Sequence, residues 1–253
     1  MKTWKTPFAM IAVLAVAAAG CEDGTTDTND FDNDGLIADA ALVAADGMFQ
    51  DLAHMQSPTS WAGSAAGPEA VPIEIQGSKT FSRTVTFFPG DSYDPLLTES
   101  MHIVSDLTRQ VTHTFWNADI ARHRDMTVTG LAGEETVRTW NGSGTGDVFK
   151  SRHPEGGAVR TYDMESTATI TNVVRAVPRA DNPWPLSGTI TRVIHAVRTK
   201  EGEDPVEKNL TVTITFNGTQ FVKMVVDDGT GPVEYDVDLA ERNVNRRFQR
   251  KNG

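Results

Sequence analysis

Three regimes of hydrophobic patterning follow one another along the chain. A continuous apolar run from Phe8 to Ala19 comes first, behind Lys2 and Lys5 and ahead of the small residues Ala17 to Gly20. Residues 22–34 (EDGTTDTNDFDND) are polar and acidic, with Phe31 as their only large apolar side chain. They cannot offset the entropy of ordering and predict a flexible tether. From Gly35 to Gln56, Ile37, Ala41, Ala44, Met48, Leu52 and Met55 recur at spacings of three and four, with Asp39, Asp46, Gln50 and Asp51 mainly off that stripe. This is the period of one amphipathic helix, with Asp34 as its N-cap. Gly47 costs about 1 kcal/mol relative to alanine and marks a place where the helix can break. Residues 57–70 (SPTSWAGSAAGPEA) read as a loop that Trp61 pins to the core.

After Pro72 the period changes to two. The clearest stretch is residues 209–239, where NLTVTITF and TQFVKMVV flank Asn217 and Gly218, a pair suited to a type I′ hairpin turn. Asp228 and Gly229 then turn the chain into VEYDVDL, predicting a three-stranded antiparallel meander. Residues 167–177 (TATITNVVRAV) and 187–197 (SGTITRVIHAV) match each other in Thr, Ile, Thr, Val, Ala and Val, and predict neighbouring strands. Further strands are expected at 79–88, 102–116, 125–131, 135–141, 147–152 and 158–165, nine or ten in all. Threonine marks one face of many of them, as in a half-wetted antiparallel sheet. The expected fold is therefore mainly β: one N-terminal amphipathic helix, then a large antiparallel sheet. That sheet is either curved, as a partly open barrel packed on the helix, or folded into a sandwich. Residues 35–253 form the single domain.

The order of the first twenty residues, charged then apolar then small, is that of a secretory signal. About a dozen apolar residues are too few to span a ~30 Å hydrocarbon core, and no run of eighteen or more follows, which excludes a bundle of membrane-crossing helices. Cys21 is the only cysteine of the 253 residues, so it has no partner for an internal disulfide. Ala18, Ala19, Gly20 and Cys21 resemble the lipobox of bacterial lipoproteins, with Ala18 where that class most often has leucine. The resemblance covers residues 1–21 only. It implies cleavage of residues 1–20, lipid on the Cys21 sulfur, and a membrane partner reached through that lipid. Each buried CH₂ of acyl chain contributes ~0.8 kcal/mol, and several chains together make attachment stable. Glu22 stands where an aspartate would signal inner-membrane retention, which points to the outer membrane.

Charge sharpens this division. All 11 acidic residues between Cys21 and Ser78 stand without a single Lys or Arg, while residues 79–253 hold 23 acidic and 21 basic ones. A negative tract of this kind repels phosphate backbones, so nucleic acid is not an expected partner. The end of the chain reverses sign through Arg242, Arg246, Arg247, Arg250 and Lys251, read as a solvated tail.

Candidate chemistry is sparse. Asp30, Asp32, Asp34 and Gly35 reproduce the start of a calcium loop, but the twelfth position, which should be a bidentate glutamate, is Ala41. No metal is expected, and these three aspartates are the whole of the calcium alternative. Gly142, Gly144 and Gly146 (NGSGTGD) lack the following helix of a phosphate loop and read as a hairpin turn. The six histidines show no metal-ligand spacing, and ARHRD around His123 reads as a charged turn. There is no GxSxG elbow, and acylation occupies the one thiol. Asn141, Asn209 and Asn217 fit a glycosylation pattern that carries no message in a bacterial lipoprotein. No catalytic residue and no cofactor is expected, and the chain is not read as an enzyme. The expectation is an outer-membrane-anchored binding or structural module of the cell envelope whose partner is an envelope protein or polysaccharide. The alternative is a carrier of lipid or another hydrophobic ligand in a curved-sheet cavity.

Overall fold

A computed structural model describes residues 31–55, 76–153 and 157–246. The apolar run from Phe8 to Ala19, Cys21, the acidic residues up to Asp30, residues 57–70 with Trp61, expected to be a loop, and the basic residues after Arg246 lie outside the described residues. The chain forms one helix, α1 (Phe31–His54), and ten strands. They are β1 (Gln76–Phe88), β2 (Ser100–His113), β3 (Trp116–Thr129), β4 (Val137–Arg152), β5 (Arg160–Ala176), β6 (Ser187–Lys200), β7 (Val206–Thr215), β8 (Phe221–Asp227), β9 (Pro232–Asp238) and β10 (Asn243–Arg246).

All ten strands belong to one sheet in the order of the sequence, each antiparallel to the next, with β1 and β10 as its edges. The fold is thus the open single sheet packed on the helix, and the sandwich alternative falls away. The two look-alike segments are indeed neighbours, with Ile170 opposite Ile190. The predicted meander is β7–β8–β9.

Four local readings need correction. ARHRD is the interior of β3 rather than a turn: His123 lies opposite Asp106 on the outer face, and its strand neighbours Arg122 and Arg124 point inward. The triple-glycine segment is not a hairpin turn but the middle of the sixteen-residue β4, which pairs with β3 and β5 across Gly142, Gly144 and Gly146. Asn217 and Gly218 do not make a two-residue turn. Only Gly218 takes positive φ, and Asn217 closes a wider connection by accepting from the Thr219 amide at 3.0 Å. Finally, α1 begins at Phe31, so Asp34 is inside it and not its cap, and the helix passes through Gly47 unbroken.

The sheet curls around α1. One helix reaches Arg122 on β3 through Asp46 and, at the far side, stacks Phe49 under Arg242 beyond β9, 5.9 Å from guanidinium carbon to ring centre. Six inter-strand steps of ~4.8 Å would carry a flat sheet far past a helix only ~10–12 Å wide. The helix packs chiefly on β6 and β7. Ile37, Ala41, Ala44, Met48 and Met55 are buried as the stripe predicts, joined by Leu36, Ala40 and Ala45. Against them lie Ile190, Ile194, Leu210, Val212, Ile214, Met224 and Val237, all close to fully buried. Each such large side chain contributes about 1.5–3 kcal/mol. Alanines on the helix allow its backbone to approach the concave face.

Candidate binding cleft between helix and sheet

The inner face of the sheet carries arginines at positions that alternate with apolar ones, and the helix brings aspartates to meet them. Register puts Ser105, Arg124, Gly144, Ala168 and Arg192 in one row across β2 to β6. The two arginines are separated by the two smallest side chains of that row, so both guanidinium groups have room to lie toward each other. They converge on Asp51. Arg124 Nε donates to its Oδ1 at 2.6 Å, and Arg192 Nη2 donates to Oδ2. All three side chains are no more than 4% exposed. Arg124 Nη1 also donates to the carbonyls of His123, at 2.7 Å, and Thr145, at 2.8 Å.

The glycines exist for this packing. A Cβ at Gly144 would lie 2.4 Å from the His123 carbonyl oxygen and 2.7 Å from Arg124 Cδ, and one at Gly47 would lie 2.8 Å from Arg192 Cζ. Both are places where another group approaches too closely for a side chain. Burial and the neighbouring Arg124 and Arg122 charges push the Arg192 guanidinium below its ordinary pKa, and Asp51 opposes that shift. Arg175 secures the end of the helix: its Nη1 donates to the Leu52 carbonyl at 3.1 Å and more weakly to that of Met55, and its Nη2 to that of Pro183. It lies where the helix dipole favours a cation, although burial and Arg179 lower its pKa to about 10.

Toward the N-terminal half of α1 the contact opens. A half-open cleft of about 270 Å³ lies between Asp39, Leu42, Val43 and Asp46 on the helix and strands β3, β4 and β5. Its floor is built in successive rows: Ile120, Val148 and Met164, then Ala118, Lys150 and Tyr162, with Trp116 and Arg152 at the outer end. At the inner end Arg122 Nη2 donates to Asp46 at 3.0 Å, and Asp46 also accepts from Gln50 at 3.1 Å. Arg122 Nη1 is buried without a hydrogen-bond partner.

Lys150 lies over the Trp116 ring, 5.3 Å from its centre, and His113 stacks on the same indole at 5.7 Å. Burial pulls the Lys150 ammonium down, and nearby Asp39 opposes that. Asp39 is pushed above the ordinary carboxylate range by burial, despite Lys150, a hydrogen bond from Tyr162, Arg152 and Arg198. Tyr162 is raised by burial and by Asp39. These groups can hold an anion and cover an apolar chain.

Of the residues singled out from sequence, Cys21 and Asp30 lie outside the described residues, as do the side chains of Asp32 and Asp34, whose backbone belongs to the first turn of α1. Among the described residues no group of three His, Cys, Asp or Glu side chains could hold a metal ion. The histidines are dispersed over the sheet: His102 pairs with Asp125 at 2.7 Å, His123 with Asp106 at 2.8 Å and His153 with Ser151 at 2.9 Å.

Sequence reasoning passed over the residues that build the interface. Asp51 lies off the apolar stripe by residue type, yet it is three residues from Met48 and four from Met55, which is stripe spacing. Arg124 and Arg192 each stand two residues from a buried apolar position, Met126 and Ile190, and that period-two phase was the available signal for a buried cation. No protein-family model, no curated protein and no solved structure matches this chain.

Proposed function

We propose that the chain is a lipoprotein of the bacterial cell envelope, anchored through lipid on Cys21 at the outer membrane, and that its domain is a non-enzymatic binding module. The observation that carries the binding role is the cleft beneath the N-terminal half of α1. It is preformed, apolar along its floor, cationic at its rim, and built on a helix that Asp51 and Arg175 fix to the sheet. Pockets of this composition, concave and mostly apolar with a few convergent polar groups, are the usual form of a ligand site. The carrier alternative is served by the same cleft, since beneath the rest of α1 buried side chains fill the curve of the sheet. Partners in this reading are the membrane, through the anchor, and a ligand from the envelope, whether part of a protein, a polysaccharide or a smaller molecule. Nucleic acid is not among them.

The support for anchoring is the charged, apolar and small-residue order that ends in the single cysteine. Metabolic labelling with palmitate, followed by mass spectrometry of the N-terminal peptide, tests it. The expected result is a processed chain starting at an acylated Cys21 in the membrane fraction, and a Cys21→Ser chain that is unlabelled and released. An unmodified polypeptide secreted in free form would overturn the reading.

A further inference from the structure

The cleft can be assigned a ligand class, an inference that rests on reading it as the module's binding site. Its volume of about 270 Å³ sits at the lower edge of the roughly 300–1,000 Å³ typical of small-molecule sites, enough for one unbranched chain but not a two-chain lipid. Along its middle it is apolar, with Leu42 and Val43 above and Ile120, Val148 and Met164 below. At the outer end Lys150 and Arg152 stand beside Trp116, with Asp39 near enough to act on both through space. Of the acids of the cleft, Asp46 is held by Arg122, while Asp39 lies close to Lys150, Tyr162 and Arg152 and offsets one of the two outer cations. Arg122 is 8% exposed and has an unpartnered Nη1, adding a buried positive charge at the inner end. Cations therefore outnumber carboxylates around an apolar trough, and the charge complement is an anionic head on a single chain.

We infer that the cleft binds a medium-chain fatty acid, with its carboxylate between Lys150 and Arg152 and its chain along the apolar strip toward Arg122. Half-exposed Leu42 closes over the chain from the helix side. Binding is reversible and involves no covalent step.

The test uses the full chain carrying Cys21→Ser, which has no acyl group of its own to enter the cleft. Calorimetric titration with decanoate is expected to saturate one site. Octanoate should bind roughly tenfold more weakly, the consequence of losing two methylenes from an apolar contact, and decyltrimethylammonium should also bind at least tenfold more weakly. Replacing both cations with neutral side chains (K150Q with R152Q) should weaken decanoate at least tenfold while circular dichroism still reports the folded sheet, and Ala118→Phe, which fills the trough, should abolish binding. The assignment is overturned if the anionic and cationic amphiphiles bind equally, if decanoate is indifferent to the double replacement, or if it does not bind. A different small molecule that co-purifies with the native chain and is lost on Ala118→Phe would overturn the fatty acid while leaving the cleft as the binding site. Finding neither that nor decanoate binding would overturn both.

Discussion

Asp51, near the C-terminal end of α1, is 2% exposed between Arg124 and Arg192, whereas Asp46, five residues earlier, holds Arg122 from a side chain that is 58% exposed. Both are aspartate–arginine contacts between the same helix and the same concave face. They differ in what surrounds them. Around Asp51 the small residues Gly47, Gly144 and Ala168 let the helix and the guanidinium groups close together and exclude water. Around Asp46 and Asp39 the floor carries longer side chains, Ile120, Val148, Lys150 and Tyr162, and the helix stands off far enough to leave a cleft. One half of the interface thus fixes the scaffold and the other remains available. A buried ion network is expensive to desolvate and gives weak net stabilisation, but breaking it leaves uncompensated charge, so it fixes one arrangement of helix on sheet.

The comparison can be broken most directly at Asp51. Asp51→Ala leaves two buried guanidinium groups facing each other and is expected to cost about 3–5 kcal/mol in urea unfolding. A loss below about 1 kcal/mol would mean that the closed half is not closed. Next in size is Gly47→Ala. In an exposed helix this change would stabilise by roughly 1 kcal/mol. Here the methyl group meets Arg192, and a net loss of about 1–3 kcal/mol is expected, the cost of overpacking. In an Arg192→Met background the same change should cost less than it does in the native chain if the contact is the cause.

Asp46→Ala, the counterpart in the open half, should cost about 1–2 kcal/mol, less than Asp51→Ala because the carboxylate it removes faces solvent, but not nothing, because it leaves the buried Arg122 guanidinium without its carboxylate. The smallest effect has the opposite sign. Burial raises the Asp39 pKa above its unfolded value, so the charged form opposes folding at neutral pH. The associated stability is fully present below the ordinary aspartate value and is lost as pH rises through the folded one. Asp39→Asn should therefore raise the neutral-pH melting temperature slightly, and the gain should disappear as pH falls below about 4. A gain that persists unchanged in acid would show that desolvation of this carboxylate is not its source.

The fold class was legible because helices and strands announce themselves through local period. The stripe from Ile37 to Met55 and the alternation in TVTIT and FVKMVV required only their own neighbours. The likeness of residues 167–177 to 187–197 also translated directly into adjacency, since two strands facing one core select similar residues. Turns were less legible. Glycine normally punctuates a strand, so Gly142, Gly144 and Gly146 read as a turn. In the folded chain the same absence of side chains makes room for Arg124 from the adjacent strand. ARHRD read as a turn for a similar reason: charge usually marks solvent, and here Arg124 has a carboxylate waiting 73 residues upstream. Asn141, uninformative in sequence, accepts a hydrogen bond from the Asn172 amide at 2.8 Å, where β4 and β5 both slip register.

By itself the sequence determined the kinds of element, their order, the acidic character of the segment that includes α1, and the apolar run that precedes the lone cysteine. Each of these depends on residues within a few positions of one another, or on simple composition. Only the tertiary structure decided that Asp51 would be buried, that Arg124 and Arg192 would share it across 73 and 141 residues, and that a cleft would remain at the other half of the helix. Those outcomes depend on strand register and on how closely a helix can approach a curved sheet. Both are set by the sizes of side chains far apart in the chain, which no local period encodes.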